Sequence, residues 1–77
     1  MAKDLEYVKH EELEVLSEDS KSDWKKTLSK VSWGKNPPKL DIRSWNDRTG
    51  GVGKGITLTD EEANRLCLKL MELGYGK

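Results

Sequence analysis

Phenylalanine is absent from this 77-residue chain, and cysteine and histidine occur once each, as Cys67 and His10. A single cysteine excludes an intrachain disulfide, and with a single histidine it cannot complete a Cys/His zinc set. No apolar run is long enough for a signal-peptide core or a membrane-spanning helix, so a cytoplasmic protein is expected. Catalytic chemistry is poorly provided for. His10 lies among acids, Cys67 sits on an apolar helical stripe, and the carboxylates of residues 4 to 23 lack the apolar surroundings that raise a pKa for acid catalysis. The run Gly51-Val52-Gly53-Lys54-Gly55 is not a phosphate-binding loop, because Arg48 stands where that motif needs glycine and Gly55 where it needs Ser or Thr. The expectation is a non-enzyme without cofactor or metal.

Net charge is also absent, but only on average. Residues 24 to 56 hold eight basic residues against two acidic ones, a local charge of +6, and all three tryptophans, Trp24, Trp33 and Trp45. Residues 1 to 23 carry −5 and residues 57 to 77 carry −1. Cations interleaved with large aromatic rings suit a polyanion whose bases are unstacked, which is single-stranded nucleic acid. The acidic flank would confine such a ligand to the basic segment by repelling it elsewhere.

The length fits one domain over residues 1 to 77, with 1–6 and 75–77 loose, and a core small enough to favour self-association. Leu5, Tyr7, Leu13 and Val15 share one parity while Leu16 falls out of phase, which predicts a long, irregular and bulged first strand. Trp24 to Trp33 reads as the second strand, Gly34 to Pro38 as a hairpin loop and Lys39 to Trp45 as the third strand. The glycines between Asn46 and Gly55 predict a longer mobile loop before a short strand at Ile56 to Leu58. Thr59-Asp60-Glu61-Glu62 is a capping box, followed by Ala63, Leu66, Cys67, Leu70 and Met71 at helical spacing and by Gly74 as a stop. Leu68 lies off that stripe, and Leu68 with Leu73 is the expected dimer contact.

With residues 34 to 38 as the loop, Trp33 is placed opposite Lys39, Val31 opposite Asp41, Ser29 opposite Arg43 and Thr27 opposite Trp45. Period-two alternation then puts Trp24, Leu28, Leu40 and Ile42 on a core face against the helix. The other face carries Lys25, Thr27, Ser29, Val31, Trp33, Lys39, Asp41, Arg43 and Trp45, and is read as an open binding surface. There Trp33 and Trp45 would stack bases, and the cations would take phosphates. The structural alternative is that both indoles stabilise the sheet through cross-strand pairing. Lys54 has the parity of Ile56 and Leu58, so reaching the binding face requires a bulge, which Gly53 and Gly55 permit.

The runs Lys30-Val31-Ser32-Trp33, Lys39-Leu40-Asp41-Ile42-Arg43-Ser44-Trp45 and Gly53-Lys54-Gly55-Ile56-Thr57-Leu58, followed by a capped helix, resemble the transcriptional coactivator family called positive cofactor four, or p15. Its small bacterial YdbC-like single-stranded-DNA-binding members are the most similar in pattern. The resemblance implies an α+β fold, with a strongly curved four-stranded antiparallel β-sheet followed by one C-terminal α-helix, dimerised through the helices. It also implies that Arg43 and Lys54 contact the DNA backbone. The chain departs from the eukaryotic pattern at Thr27 and Ser29, where that pattern is basic, and at Gly34 to Pro38, where it has an aromatic residue. Trp33 would replace that aromatic, and Lys25, Lys26 and Lys30 the charge.

The expected function is largely sequence-independent single-stranded DNA binding by a homodimer, in transcription regulation, replication or repair, in a nucleoid-associated setting. The nucleic-acid-binding residues expected are Lys25, Lys26, Lys30, Trp33, Lys35, Lys39, Arg43, Trp45 and Lys54. The alternatives are single-stranded RNA as ligand and a protein-interaction module of the transcription-adaptor kind.

Overall fold

A computed structural model describes residues 6–76. Strands β1 (Tyr7–Asp19), β2 (Trp24–Trp33), β3 (Lys39–Asn46) and β4 (Gly51–Leu58) form one antiparallel sheet in the order β1-β2-β3-β4, and helix α1 (Asp60–Glu72) follows. This is the α+β architecture expected from the sequence. The expected looseness of 1–6 and 75–77 falls mainly on residues outside the described range. Of the others, Glu6 accepts a backbone hydrogen bond from Gly34 at 2.9 Å, and the Tyr75 N–H donates to Leu70 at 2.9 Å. No helix among the described residues is long and apolar enough to cross a membrane.

The irregularity of β1 has a simple rule. Its register against β2 shifts three times, leaving His10, Leu13 and Leu16 as extra residues, so the strand repeats every three residues rather than every two. Lys9, Glu12 and Val15 stand opposite Val31, Ser29 and Thr27 on one face, while Glu11, Glu14 and Ser17 stand opposite Lys30, Leu28 and Lys26 on the other. Each bulge places two residues against one, lengthening the second face and curling the sheet towards the first. Small Thr27 and Ser29 allow that curl. Glu11 and Glu14 consequently face away from Glu12, and among the described residues no three acids, histidines or cysteines gather into a metal-binding group.

The β2–β3 register differs from expectation by two residues. Lys25 pairs with Trp45, Thr27 with Arg43, Ser29 with Asp41 and Val31 with Lys39, while Trp33 lies beyond β3 and pairs with Tyr7 of β1. Because the displacement is even, every side chain keeps its assigned face. The β2 residues Ser32 and Trp33 run past the end of β3 and are held from the β1 side instead.

The glycine-rich segment is a strand, not a mobile loop. Only the turn at Asp47 to Gly50 remains, with Gly50 at φ +78°, and β4 begins at Gly51. The glycines serve close approach: a Cβ on Gly55 would collide with the Ile42 carbonyl and sit 2.6 Å from Arg43 Cβ, and one on Gly53 would sit 3.0 Å from the Ser44 carbonyl. Between Arg43 and Trp45 the register shifts again, with one more residue on β4 than on β3. The bulge expected there is present at Gly53 and Lys54, which together stand opposite Ser44, so Lys54 keeps the parity of Ile56; it is exposed.

Helix α1 has both arms of the capping box: the Glu62 N–H donates to Thr59 Oγ1 at 3.1 Å, and the Thr59 N–H to Glu62 Oε1 at 2.9 Å. It ends at Gly74, φ +103°, with Gly74 donating to Met71 and Tyr75 to Leu70, the double bond of a Schellman stop. Its stripe faces Leu28, Leu40 and Ile42 of the sheet, but an open apolar groove of about 500 Å³ separates the two. No helix residue is buried, and Leu66, Leu70 and Met71 stay 41, 39 and 61% exposed. Trp24 shares this side of the sheet without joining the helix contact as expected; its indole reaches across to β4, where Gly51 and Gly53 leave room for the ring.

Candidate nucleic-acid interface

The face expected to be open is the most enclosed part of the described chain. Thr27, Ser29 and Asp41 have no exposed surface, Val31 keeps 1% and Trp45 4%. The curl created by the β1 bulges turns this face inwards, so small polar side chains are packed where flat-sheet reasoning places solvent. Thr27 and Ser29 satisfy one another through a 2.9 Å hydroxyl–hydroxyl bond.

Asp41 organises the rest. Its carboxylate accepts from Thr57 Oγ1 at 2.6 Å, from Trp33 Nε1 at 3.1 Å, and from Arg43 through Nε at 2.9 Å and Nη2 at 3.2 Å. Burial pushes the Asp41 carboxyl up, but the hydrogen bonds from Arg43, Thr57 and Trp33 outweigh it and hold the group below the usual aspartate range. Arg43 donates a third bond, from Nη1 to the Gly53 carbonyl beside the β4 bulge at 3.1 Å, and its guanidinium lies 4.7 Å over the Trp33 ring. Strand geometry, a buried acid and a bulge carbonyl together fix one arginine and one indole.

Tyr7 completes this cluster from outside the expected binding set. Its ring lies 5.4 Å from Trp33 and 5.6 Å from Trp45, and at 36% exposure it forms the rim above them. Lys9 lies 4.5 Å over the Trp45 ring from the same strand. Trp45 is therefore a covered sheet residue, not a free stacking platform. The exposed or half-exposed aromatic surface at this position belongs to Tyr7 and Trp33. Tyr7 precedes the first bulge: Tyr7, Val8 and Lys9 pair regularly with Trp33, Ser32 and Val31, so simple alternation from Lys9 puts Tyr7 on the enclosed face.

The nine residues expected to bind are distributed unevenly. Trp33, Lys39, Arg43 and Trp45 share the curled face, with Lys35 in the adjoining hairpin and Lys54 at the bulge. Lys25 is on the same side but is bound to Glu12 at 3.1 Å and Asp47 at 2.9 Å, contacts that raise its pKa through the hydrogen bonds of Asp47 and then Glu12. Lys26 and Lys30 pair with Ser44 and Leu40 on the opposite, helix-facing side. Arg48, outside the expected set, is held by Asp23 at 2.6 Å. Among the described residues, Lys26, Lys30, Lys35, Lys39 and Lys54 make no ion pair with a described acid.

Comparison with known proteins adds one local similarity. A 39-residue stretch, 51% of this chain, is 44% identical to an uncharacterized protein of Treponema pallidum (strain Nichols). That stretch spans 46% of the relative, less than half its length. No family model matches the chain. The side-chain arrangement is thus the main ground for a functional reading.

His10, expected in a solvated acidic strand, is exposed at the first bulge, with Nε2 2.7 Å from Ser32 Oγ. Cys67 is exposed on the groove side of α1, with Sγ 4.0 Å from Met71 Sδ.

Proposed function

We propose that this protein binds single-stranded DNA as a homodimer, largely without regard to sequence, by stacking on Tyr7 and Trp33 and by phosphate contacts from Lys35, Lys39 and Lys54. The observation that carries the reading is the Tyr7–Trp33–Arg43 cluster, held at 5.4 and 4.7 Å beside lysines that no described acid neutralises. Aromatic faces accept any unstacked base, while a duplex hides those faces inside its stack. The resemblance to the positive cofactor four family supports the same reading and suggests work in transcription, replication or repair.

The dimer is supported by the helix. Leu66, Leu68, Leu70, Met71, Leu73 and Tyr75 are between 39 and 68% exposed within ten residues, an apolar surface larger than a lone helix sustains in water. The groove and the stripe are both apolar and lie on the same side, so two copies related by a twofold axis can cover each other's surface. Leu68 and Leu73, the most exposed leucines among the described residues, extend that surface past the stripe.

Tryptophan fluorescence titration with single-stranded DNA, duplex DNA and single-stranded RNA of equal length, at 50 and 200 mM salt, tests the reading. Quenching by single-stranded DNA, with affinity falling as salt rises, is expected. Duplex preference, or no binding at either salt, would remove the proposal and favour a protein ligand.

A further inference from the structure

We propose that the cleft between Trp33 and β4 reads one guanine base of a bound single strand through Arg43, within an otherwise sequence-tolerant track. The inference rests on the single-stranded-DNA reading above. The cleft has a volume of about 270 Å³ and is lined by Trp33, Arg43, Val52, Gly53 and Thr57. That is just below the ~300 Å³ at which pockets for drug-sized ligands begin, the scale of a single planar base. An indole and a valine offer apolar walls, and Gly53 projects no side chain into the space between them.

The electrostatics of Arg43 separate it from the lysines. Its charge is cancelled by the Asp41 carboxylate, gripped through Nε and Nη2, and that carboxylate has no exposed surface with which to release it into water. Three of the five guanidinium N–H groups are engaged, by Asp41 twice and by Gly53 once. Two donors remain without an acceptor among the described residues. A neutralised guanidinium with two spare donors has little advantage at a phosphate, which the unpaired lysines attract more strongly. It keeps its full capacity for two neutral acceptors on a base edge.

Guanine presents such a pair, N7 and O6, side by side. Adenine puts the N6 amino donor where O6 would be, so one arginine donor faces another donor. A good bidentate contact discriminates by ~1–3 kcal/mol, and in an open cleft the low end, about fivefold, is expected. Asp41 acts here as a positioning residue: the same carboxylate fixes the Trp33 ring through Nε1 and the Arg43 fork through two bonds.

The test uses the full chain and a twelve-residue oligothymidine carrying one central guanine, adenine or 7-deazaguanine. Expected are about fivefold tighter binding for guanine than for adenine, and loss of that gain with 7-deazaguanine, which lacks the N7 acceptor. Arg43→Lys should abolish the guanine preference. The paired variant Asp41→Asn/Arg43→Gln, which removes both charges together, should abolish it while leaving the salt dependence on plain oligothymidine unchanged. Circular dichroism checks that each variant is folded. Equal affinity for guanine and adenine, or an undiminished preference with 7-deazaguanine, overturns the proposal. A shallower salt slope in the paired variant also overturns it, since Arg43 would then be a phosphate contact. If plain oligothymidine is not bound at all, the underlying single-strand reading fails too; if it is bound without base preference, only this inference fails.

Discussion

Removing Lys39 and removing Lys25 should have different consequences for DNA affinity, although both lysines belong to the same basic segment and the same face of the sheet. Lys25 is bridged to Glu12 and Asp47 at 3.1 and 2.9 Å, whereas Lys39 is exposed and makes no ion pair with a described acid. If Lys35, Lys39 and Lys54 each neutralise one phosphate, the single-strand slope of ~0.7 per phosphate gives a log–log salt slope near −2 per protomer. Affinity should then fall by about 20-fold between 50 and 200 mM salt. One contact contributes about eightfold at 50 mM and about threefold at 200 mM, so Lys39→Ala should lose those amounts and flatten the slope by ~0.7. Lys25→Ala should leave the slope unchanged, because its charge is already compensated within the protein. Fluorescence titration against oligothymidine at four salt concentrations measures both. Equal flattening in the two variants, or none in Lys39→Ala, would refute the division of the lysines by their ion pairs.

Three further outcomes follow from the geometry. Gly55→Ala should destabilise the fold by more than ~3 kcal/mol, because the new methyl group meets the Ile42 carbonyl and the Arg43 backbone; thermal unfolding that matches the parent would contradict the close approach. The lowered pKa of Asp41 contributes stability that is fully present above its unfolded value of ~3.9 and is lost as pH falls through the folded value. Stability measured by urea unfolding should therefore decline below about pH 4, and Asp41→Asn should be less stable at neutral pH with a flatter acid limb. Leu68→Glu, at a position 68% exposed in the single chain, should shift the protein to monomer in sedimentation; an unchanged sedimentation coefficient would place any self-association elsewhere.

Local signals were legible where one residue type has one physical use. Thr59 and Glu62 announced the start of the helix and Gly74 its end, and the Pro37-Pro38 pair marked the gap between β2 and β3. Alternation correctly sorted Leu28 and Ile42 from Thr27 and Asp41. It could not say which side the sheet would enclose: the phase break at Leu16 signals a bulge in β1, but not the three-residue spacing of the bulges or the direction of the curl they impose. The β4 glycines were misread because glycine marks both a mobile turn and a tight backbone approach; Gly50 is the first kind and Gly55 the second. Ion pairs such as Lys25 with Asp47 depend on tertiary placement and were beyond any count of charge.

The three-residue repeat of β1 also bears on aggregation. β1 is the outer strand of the sheet and thirteen residues long, a length that offers an incoming strand a template of unpaired backbone groups. Bulges at His10, Leu13 and Leu16 break the ladder spacing after every third residue, so a straight strand cannot stay in register along it. The device that encloses Asp41 and Trp45 on one side thus makes the adjacent edge a poor seed for fibrils, and restoring regular pairing by deleting bulge residues would expose the protein to that hazard.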